Sequence, residues 1–319
     1  MKHVLITGGC GFIGSNFINH YYHKSNCQLV NIDAMYYCAN EYNVAEEIRS
    51  SSRYTLIKGN IASFDLVQHI LNHFNIDTVI HFAAQSHVEN SFSDALKYTH
   101  DNIVGTHTLL ECCRLYGKIM KFIHISTDEV YGESMLEENE NKKNENSILC
   151  PTNPYAATKA AAELIVKSYY HSFKMPIIIT RGNNVYGPNQ YPEKVIPLFI
   201  KLLKENKPIT IQGDGSNVRS FLHVKDVSRA LQLILDKGVI GEIYNIGGDD
   251  SCEYTIDILS KKLIKMIKHT DKYEDWITYI KDRPFNDKRY YISNDKLKQL
   301  GWIVEEDFDK GLQELCQTE

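Results

Sequence analysis

The chain has 319 residues, 43% of them hydrophobic and 24% charged, and a formal net charge of -5. That length allows one large domain or two lobes, and the composition is ordinary for a globular protein. No block of Lys and Arg supports binding to nucleic acid or a membrane surface, and no apolar run reaches the roughly 18 residues that span a bilayer.

Eight cysteines are too dilute for a disulfide scaffold and include no Cys-x-x-Cys pair, so free thiols in a reducing, cytoplasmic setting are expected. Thirteen histidines fall into no metal-binding spacing, and no metal is expected. The N-terminus reads as a strand entering a glycine turn rather than as a signal peptide.

The apolar run at 3–7 predicts a central parallel strand. Gly8, Gly11 and Gly14 follow three apart, with Phe12 and Ile13 between the last two, and a helical pattern begins at Ser15. Glycines permit a tight turn and a close approach of backbone to a pyrophosphate, and the helix N-terminus offers amides to its charge. A Gly-rich turn is weak evidence by itself, but here a strand and a helix flank it. A second strand, 28–33, ends in Asp33. An acid about twenty residues past the glycines accepts hydrogen bonds from an adenosine ribose and repels a 2'-phosphate, so NAD is expected rather than NADP.

Strands at 54–59, 77–84 and 121–126 then alternate with helices at 65–74 and 98–116. This alternation predicts an α/β fold built on a doubly wound parallel sheet of Rossmann type. Ala83 and Ala84 end one strand, where small side chains let a cofactor approach, and Ser86 and His87 face the same cleft. The acidic stretch at 137–146 has no apolar period and reads as an exposed loop without a role.

Thr127, Asp128 and Glu129 follow the 121–126 strand, which puts two adjacent carboxyls at a strand's carboxyl end. Pro154 then opens a helix carrying Tyr155 and Lys159 one turn apart on one face. Such spacing is common on surface helices, but the strand end and the proline before it favour a site. An ammonium beside a phenol favours the phenolate, lowering its pKa from about 10. Base, cation and acid pair can thus meet in one cleft.

Beyond a strand at 176–181 comes a polar loop, 182–194, whose amides suit sugar hydroxyls or a nucleotide. Helices are expected at 195–204, 226–235, 256–268 and 307–316, with strands at 209–212, 218–222 and 242–247. The expected division is an NAD-binding lobe at 1–181, to which the chain returns at about 221–247, and a smaller C-terminal α/β substrate-binding lobe, mainly 182–319.

These motifs together resemble the extended short-chain dehydrogenase/reductases and, within them, the nucleotide-sugar 4,6-dehydratases. The likeness spans the chain: Thr7-Gly-Gly-Cys-Gly-Phe-Ile-Gly14, His81-Phe-Ala-Ala-Gln-Ser-His-Val88, Ser126-Thr-Asp-Glu-Val-Tyr-Gly132, Tyr155 with Lys159, Arg181-Gly-Asn-Asn-Val-Tyr-Gly-Pro188 and Arg283-Pro-Phe-Asn-Asp287. Thr-Asp-Glu is the selective part, because related 4-epimerases carry small or hydroxyl residues there. The resemblance implies oxidation of a sugar at carbon 4 by NAD, with Tyr155 as base and Lys159 lowering its pKa. Thr127 would hydrogen-bond the 4-hydroxyl, Glu129 would take the proton from carbon 5, and Asp128 would protonate the hydroxyl leaving carbon 6. Hydride would return to carbon 6.

The resemblance also places Asn60, in the position of the usual acid, with Ile61 at the adenine. It assigns Ser86, His87, Asn184 and Lys194 to the diphosphate-sugar, Arg219 and Arg283 to the nucleoside diphosphate, and Asn286 to the region of the base. It implies a homodimer through 98–116 and 155–173. The Arg283-Pro-Phe-Asn-Asp287 stretch is similar to eukaryotic UDP-glucose 4,6-dehydratases of the UDP-rhamnose route, whereas bacterial dTDP-glucose enzymes read Arg-Pro-Gly-His-Asp. UDP-glucose is therefore expected ahead of dTDP-glucose. A 4-epimerase would leave the acid pair unexplained, and a non-catalytic NAD-binding regulator is not excluded by fold alone.

Overall fold

The computed structural model describes residues 2–136, 140–282 and 285–318. Its strands are β1 His3–Thr7, β2 Gln28–Asp33, β3 Tyr54–Lys58, β4 Thr78–His81, β5 Lys121–Thr127, β6 Ile177–Gly182, β7 Asn184–Tyr186, β8 Ile209–Gln212, β9 Val218–His223, β10 Ile243–Ile246, β11 Glu253–Thr255 and β12 Ile277–Ile280. Seven of them form one parallel sheet in the order β10-β6-β5-β4-β1-β2-β3.

Apolar side chains alternate across this sheet, so β1 sends Val4 and Ile6 to one core and Leu5 to the other. Helices Phe12–Lys24 and Val224–Lys237 cover the first face with Phe17, Ile18, Leu231 and Ile234. Helices Phe64–His73 and Gly105–Tyr116 cover the second with Val67, Ile70, Leu109 and Leu110. Strand order reverses between β1 and β4, which opens a crevice at their carboxyl ends, where such sheets bind ligands.

A second lobe contains the β11-β9-β7 sheet and the β12-β8 pair. Its core joins Phe199, Ile200 and Leu203 to Leu259, Leu263, Phe308 and Leu312. Strand β9 ties the two lobes together, since Phe221 enters this core while Leu222 enters the first lobe's.

Four local features differ from the sequence expectations. The 182–194 loop contains β7, whose Tyr186 is buried, and β11 and β12 are further short strands. The expected 98–116 helix includes a π-helical turn at Thr99–Val104. The chain makes a further return to the first lobe, where Leu297 and Trp302 join its core. The described part of the acidic loop docks on β10: Glu145 Oε1 accepts the Asn245 N–H at 3.0 Å and the Glu145 carbonyl accepts from Arg181 Nη1 at 3.3 Å. β10 is an edge strand, and the loop satisfies an amide that would otherwise lack a partner. Among the described residues no helix is long and apolar enough to cross a membrane, and all eight cysteines are free thiols.

Candidate active site

The crevice begins at the turn after β1. Gly8 has φ +73°, and a Cβ there would lie 2.7 Å from both Ala83 Cα and Ala83 N. Only glycine lets the turns after β1 and β4 pass this closely. Gly11 is the N-cap of the helix Phe12–Lys24 and gives it no side-chain cap bond, so the first amides stay open to a phosphate. Asp33 closes the other side, accepting the Cys10 N–H at 2.9 Å and the Met35 N–H at 2.8 Å. Burial raises its pKa and those two bonds oppose the rise. Asn60 uses its oxygen for the Ala62 N–H at 2.8 Å and its amide for the Tyr36 hydroxyl at 3.0 Å. An open helix N-terminus beside a buried acid fits a dinucleotide, and the cavity of about 310 Å³ runs on from there past Ala83 and Ala84.

The helix Pro154–Phe173 carries Tyr155 and Lys159 into the same cavity, capped at its start by the Asn153 side chain on the Ala156 N–H. Lys159 donates from Nζ to the Ile125 carbonyl at 2.7 Å, and burial lowers its pKa to about 8 against the favourable charge of Glu163. Tyr155 behaves differently from the sequence expectation. Its pKa is pushed above the ordinary phenol value by burial and by the negative charge of Glu129, partly offset by a hydrogen bond with Thr127. Burial is the larger of the two causes, and the short bond of Lys159 is to a backbone carbonyl rather than to the phenol.

Asp128 and Glu129 occupy a 3₁₀ turn after β5, Asp128–Tyr131, capped by Thr127. Asp128 is 3% exposed, and burial followed by the charge of Glu129 raises its pKa to about 7. Bonds from Asn183 and Thr127 and the charge of Arg219 oppose this rise. Asn183 Nδ2 donates to Asp128 Oδ2 at 2.6 Å. Glu129 Oε2 accepts from Asn153 Nδ2 at 3.0 Å and from the Tyr290 hydroxyl at 3.4 Å. Its pKa is raised by burial, with Asn153, Lys194 and Arg219 pulling the other way. Near neutral pH Asp128 can hold a proton, while the donors on Glu129 favour its charged form, the separation of roles that acid–base chemistry needs.

Gly8, Gly11, Phe12, Ile13, Gly14 and Asp33 line one end of the cavity, Asn60, Ile61, Ala83 and Ala84 its flank. Thr127, Asp128, Glu129, Tyr155 and Lys159 line the same cavity, as do Ser86, Asn184 and Lys194. Lys194 Nζ donates to the Ser86 carbonyl at 2.8 Å. His87, Arg219 and Asn286 stand outside this wall. His87 Nδ1 lies 3.5 Å from Glu193 Oε2. Arg219 lies over the Tyr290 ring and donates to the Val218 carbonyl at 2.8 Å and to Asn286 Oδ1 at 3.2 Å. Arg283 lies outside the described residues. Among the described residues no group of three or more His, Cys, Asp or Glu could hold a metal ion.

The sequence reading did not include three side chains that touch the acid pair. Asn153 could have been found as the residue before Pro154, in the N-cap position of a predicted helix. Asn183 is the neighbour of the chosen Asn184, and nothing local separates the two. Tyr290 carries no local signal at all. The π-helical turn likewise places Asn102 against the Gln85 backbone and the Thr158 hydroxyl, tying the turn after β4 to the Tyr155 helix.

The family model described as GDP-mannose 4,6 dehydratase matches residues 5–315. The chain is 46% identical over 317 residues to the trifunctional UDP-glucose 4,6-dehydratase/UDP-4-keto-6-deoxy-D-glucose 3,5-epimerase/UDP-4-keto-L-rhamnose-reductase RHM3 of Arabidopsis thaliana, covering 99% of this chain and 47% of that protein. It thus spans about half the length of such relatives. It is 42% identical to the dTDP-D-glucose 4,6-dehydratase of Dictyostelium discoideum, over 98% of this chain and 80% of that one. Among solved structures, DesIV, a dTDP-glucose 4,6-dehydratase from Streptomyces venezuelae with NAD and TYD bound, superposes with TM-score 0.93 at 34% identity, covering 99% of this chain and 96% of that one.

Proposed function

The chain belongs to the GDP-mannose 4,6 dehydratase family, and on that premise we propose that it is an NAD-dependent nucleotide-sugar 4,6-dehydratase, a hydro-lyase. The observation that carries this reading is that Tyr155, Asp128 and Glu129 open on one cavity, with Asp128 able to hold a proton near neutral pH. The first lobe holds the dinucleotide and the second lobe, with Asn184 and Lys194, holds the diphosphate-sugar.

NAD, held by the glycine turn and Asp33, would accept hydride from carbon 4 and return it to carbon 6. Tyr155 takes the proton of the 4-hydroxyl, oriented by Thr127. Lys159, held on the Ile125 carbonyl, keeps positive charge close to the phenolate. Once carbon 4 is a ketone, the proton on carbon 5 is acidic and Glu129 removes it. Asp128 gives its proton to the carbon 6 hydroxyl as the carbon–oxygen bond breaks and water leaves. Glu129 returns its proton to carbon 5, and a proton passing from Tyr155 to Asp128 resets the site. Each proton transfer contributes about two to four orders of magnitude.

The donor is UDP-glucose, supported by the Phe285–Asn286 stretch and by the name of the Arabidopsis relative; dTDP-glucose is the second reading, supported by the Dictyostelium relative. The product is a 4-keto-6-deoxy sugar nucleotide for a deoxysugar route such as that to rhamnose. Offering each donor separately and following the product by mass spectrometry and NMR tests both points. Loss of water from UDP-glucose ahead of dTDP-glucose is the expected result, whereas a carbon 4 epimer with no water lost would overturn dehydration. The protein pairs as a homodimer through the helices at 98–116 and 155–173, which expose Leu115 and Leu164 at 54% and 61% in the single chain. Sedimentation should show a dimer that Leu164→Glu splits.

A further inference from the structure

Asn183 lies between β6 and β7 and is 7% exposed. The two ends of a carboxamide are alike in shape, but their partners tell them apart. The Gly248 N–H, 3.1 Å away, can only donate, so the atom facing it is Oδ1. This seat exists because residue 247 is glycine: a Cβ there would lie 2.7 Å from Asn183 Oδ1. The other end of the amide is therefore the NH2 group, and it points at Asp128 Oδ2 from 2.6 Å.

A protonated carboxyl has one hydroxyl oxygen and one carbonyl oxygen, and an N–H donor can face only an acceptor. Oδ2 must then be the carbonyl oxygen. The remaining oxygen, Oδ1, has Thr127 Oγ1 as its neighbour at 3.2 Å, and a hydroxyl can rotate to suit either protonation state. The charged and titratable groups that face Asp128 are Glu129 on its own turn, Arg219 from β9 and Tyr155 from the helix Pro154–Phe173. Among the described residues, Asn183 and Thr127 make the side-chain bonds that distinguish one carboxyl oxygen of Asp128 from the other.

We propose that Asn183 is the positioning residue of the acid step: anchored by Gly248, it holds Asp128 Oδ2 as an acceptor and leaves the transferable proton on Oδ1, towards Thr127 and the cleft. This rests on the 4,6-dehydration reading. When the Oδ1–H bond breaks, the proton joins the carbon 6 oxygen and the carbon 6–oxygen bond cleaves. The electron pair left on carbon 5, whose proton is on Glu129, becomes the new double bond. The Asp128 carboxylate that remains gains a charge-assisted bond from the same Asn183 amide. Asn183 thus serves the acid before transfer by orientation and after transfer by stabilising its charge.

The deciding variant is Asn183→Asp, which keeps the shape and the acceptor for Gly248 but replaces the donor with an oxygen. A proton shared between the two carboxyls is then drawn towards Oδ2. Elimination should slow about 100-fold, while oxidation at carbon 4, read as NADH formed in a single turnover, changes little. The alkaline limb of the elimination rate, where Asp128 loses its proton, should move up by about one unit or more. A 6-deoxy-6-fluoro donor, whose fluoride leaves with less acid assistance, should recover most of the lost rate. If the aspartate variant does not fold, Asn183→Ala decides the question through the same alkaline limb and the same fluoride rescue. Equal slowing of oxidation and elimination, an unmoved pH profile, or no fluoride rescue would each overturn the proposal. Failure of the unaltered protein to release water from either nucleotide sugar would instead remove the dehydration reading, and the acid step with it.

Discussion

Two clusters of buried charge lie close together in this molecule and are built on opposite principles. Glu163 and Arg181 are almost fully buried and closely matched: Arg181 meets the Glu163 carboxylate through Nε at 3.1 Å and Nη2 at 2.7 Å. Its remaining nitrogen donates to the Tyr131 hydroxyl at 2.7 Å, which in turn donates to Asn245 Oδ1 at 2.8 Å. Asp128 and Glu129 are like charges on adjacent residues, served mainly by neutral donors, with Arg219 acting on both through its charge. The first cluster holds β6 against the Tyr155 helix. The second leaves proton affinity raised, which costs stability and provides chemistry. A buried charge is structural where opposite charge and hydrogen bonds complete it, and reactive where they fall short.

Substitutions in the two clusters should have graded effects. Glu129→Gln keeps the shape of the acid pair and removes its base, so elimination should fall by about two to four orders of magnitude with NAD still bound. Rapid-quench analysis of a single turnover measures this, and unchanged elimination would strip Glu129 of its role. In the matched cluster, Glu163→Leu leaves the Arg181 guanidinium buried without its partner and should cost about 3–5 kcal/mol in urea unfolding.

Asp128→Asn reverses the sign. The Asp128 carboxyl binds its proton more tightly in the folded chain, near pH 7, than at its ordinary value of 3.8. Its contribution is therefore fully present below the ordinary carboxylate range and is lost as pH rises through about 7. The asparagine variant should be more stable than the parent at pH 8, on the order of 2–4 kcal/mol, and gain nothing at pH 4 while losing elimination. Equal stability at both pH values would mean that burial does not raise this acid. The smallest effect belongs to Asn153→Ala, which removes a helix cap worth about 1 kcal/mol and a hydrogen bond to the Glu129 carboxylate. Thermal melting reads the first loss, and a modest fall in elimination reads the second.

Much of this architecture was legible because it is local. The glycine turn, Asp33 at a strand end and the Tyr155–Lys159 pair depend on spacing within one or two elements, and helix or strand periodicity carries such spacing directly. The parallel sheet followed from alternating strands and helices, and Thr127, Asp128 and Glu129 stood out because two acids directly follow an apolar strand. What the sequence alone determined was therefore the inventory of chemistry and the elements that bear it. Tertiary structure decided which groups touch. Glu129 meets Asn153 across 24 residues, Asp128 meets Asn183 across 55, and Tyr290 reaches Glu129 across 161. It also brought burial and the charge of Glu129 to bear on Tyr155, which raise its pKa and which its spacing to Lys159 does not show. Proton affinity answers to burial and to every charge within reach, and those are set only when distant segments pack.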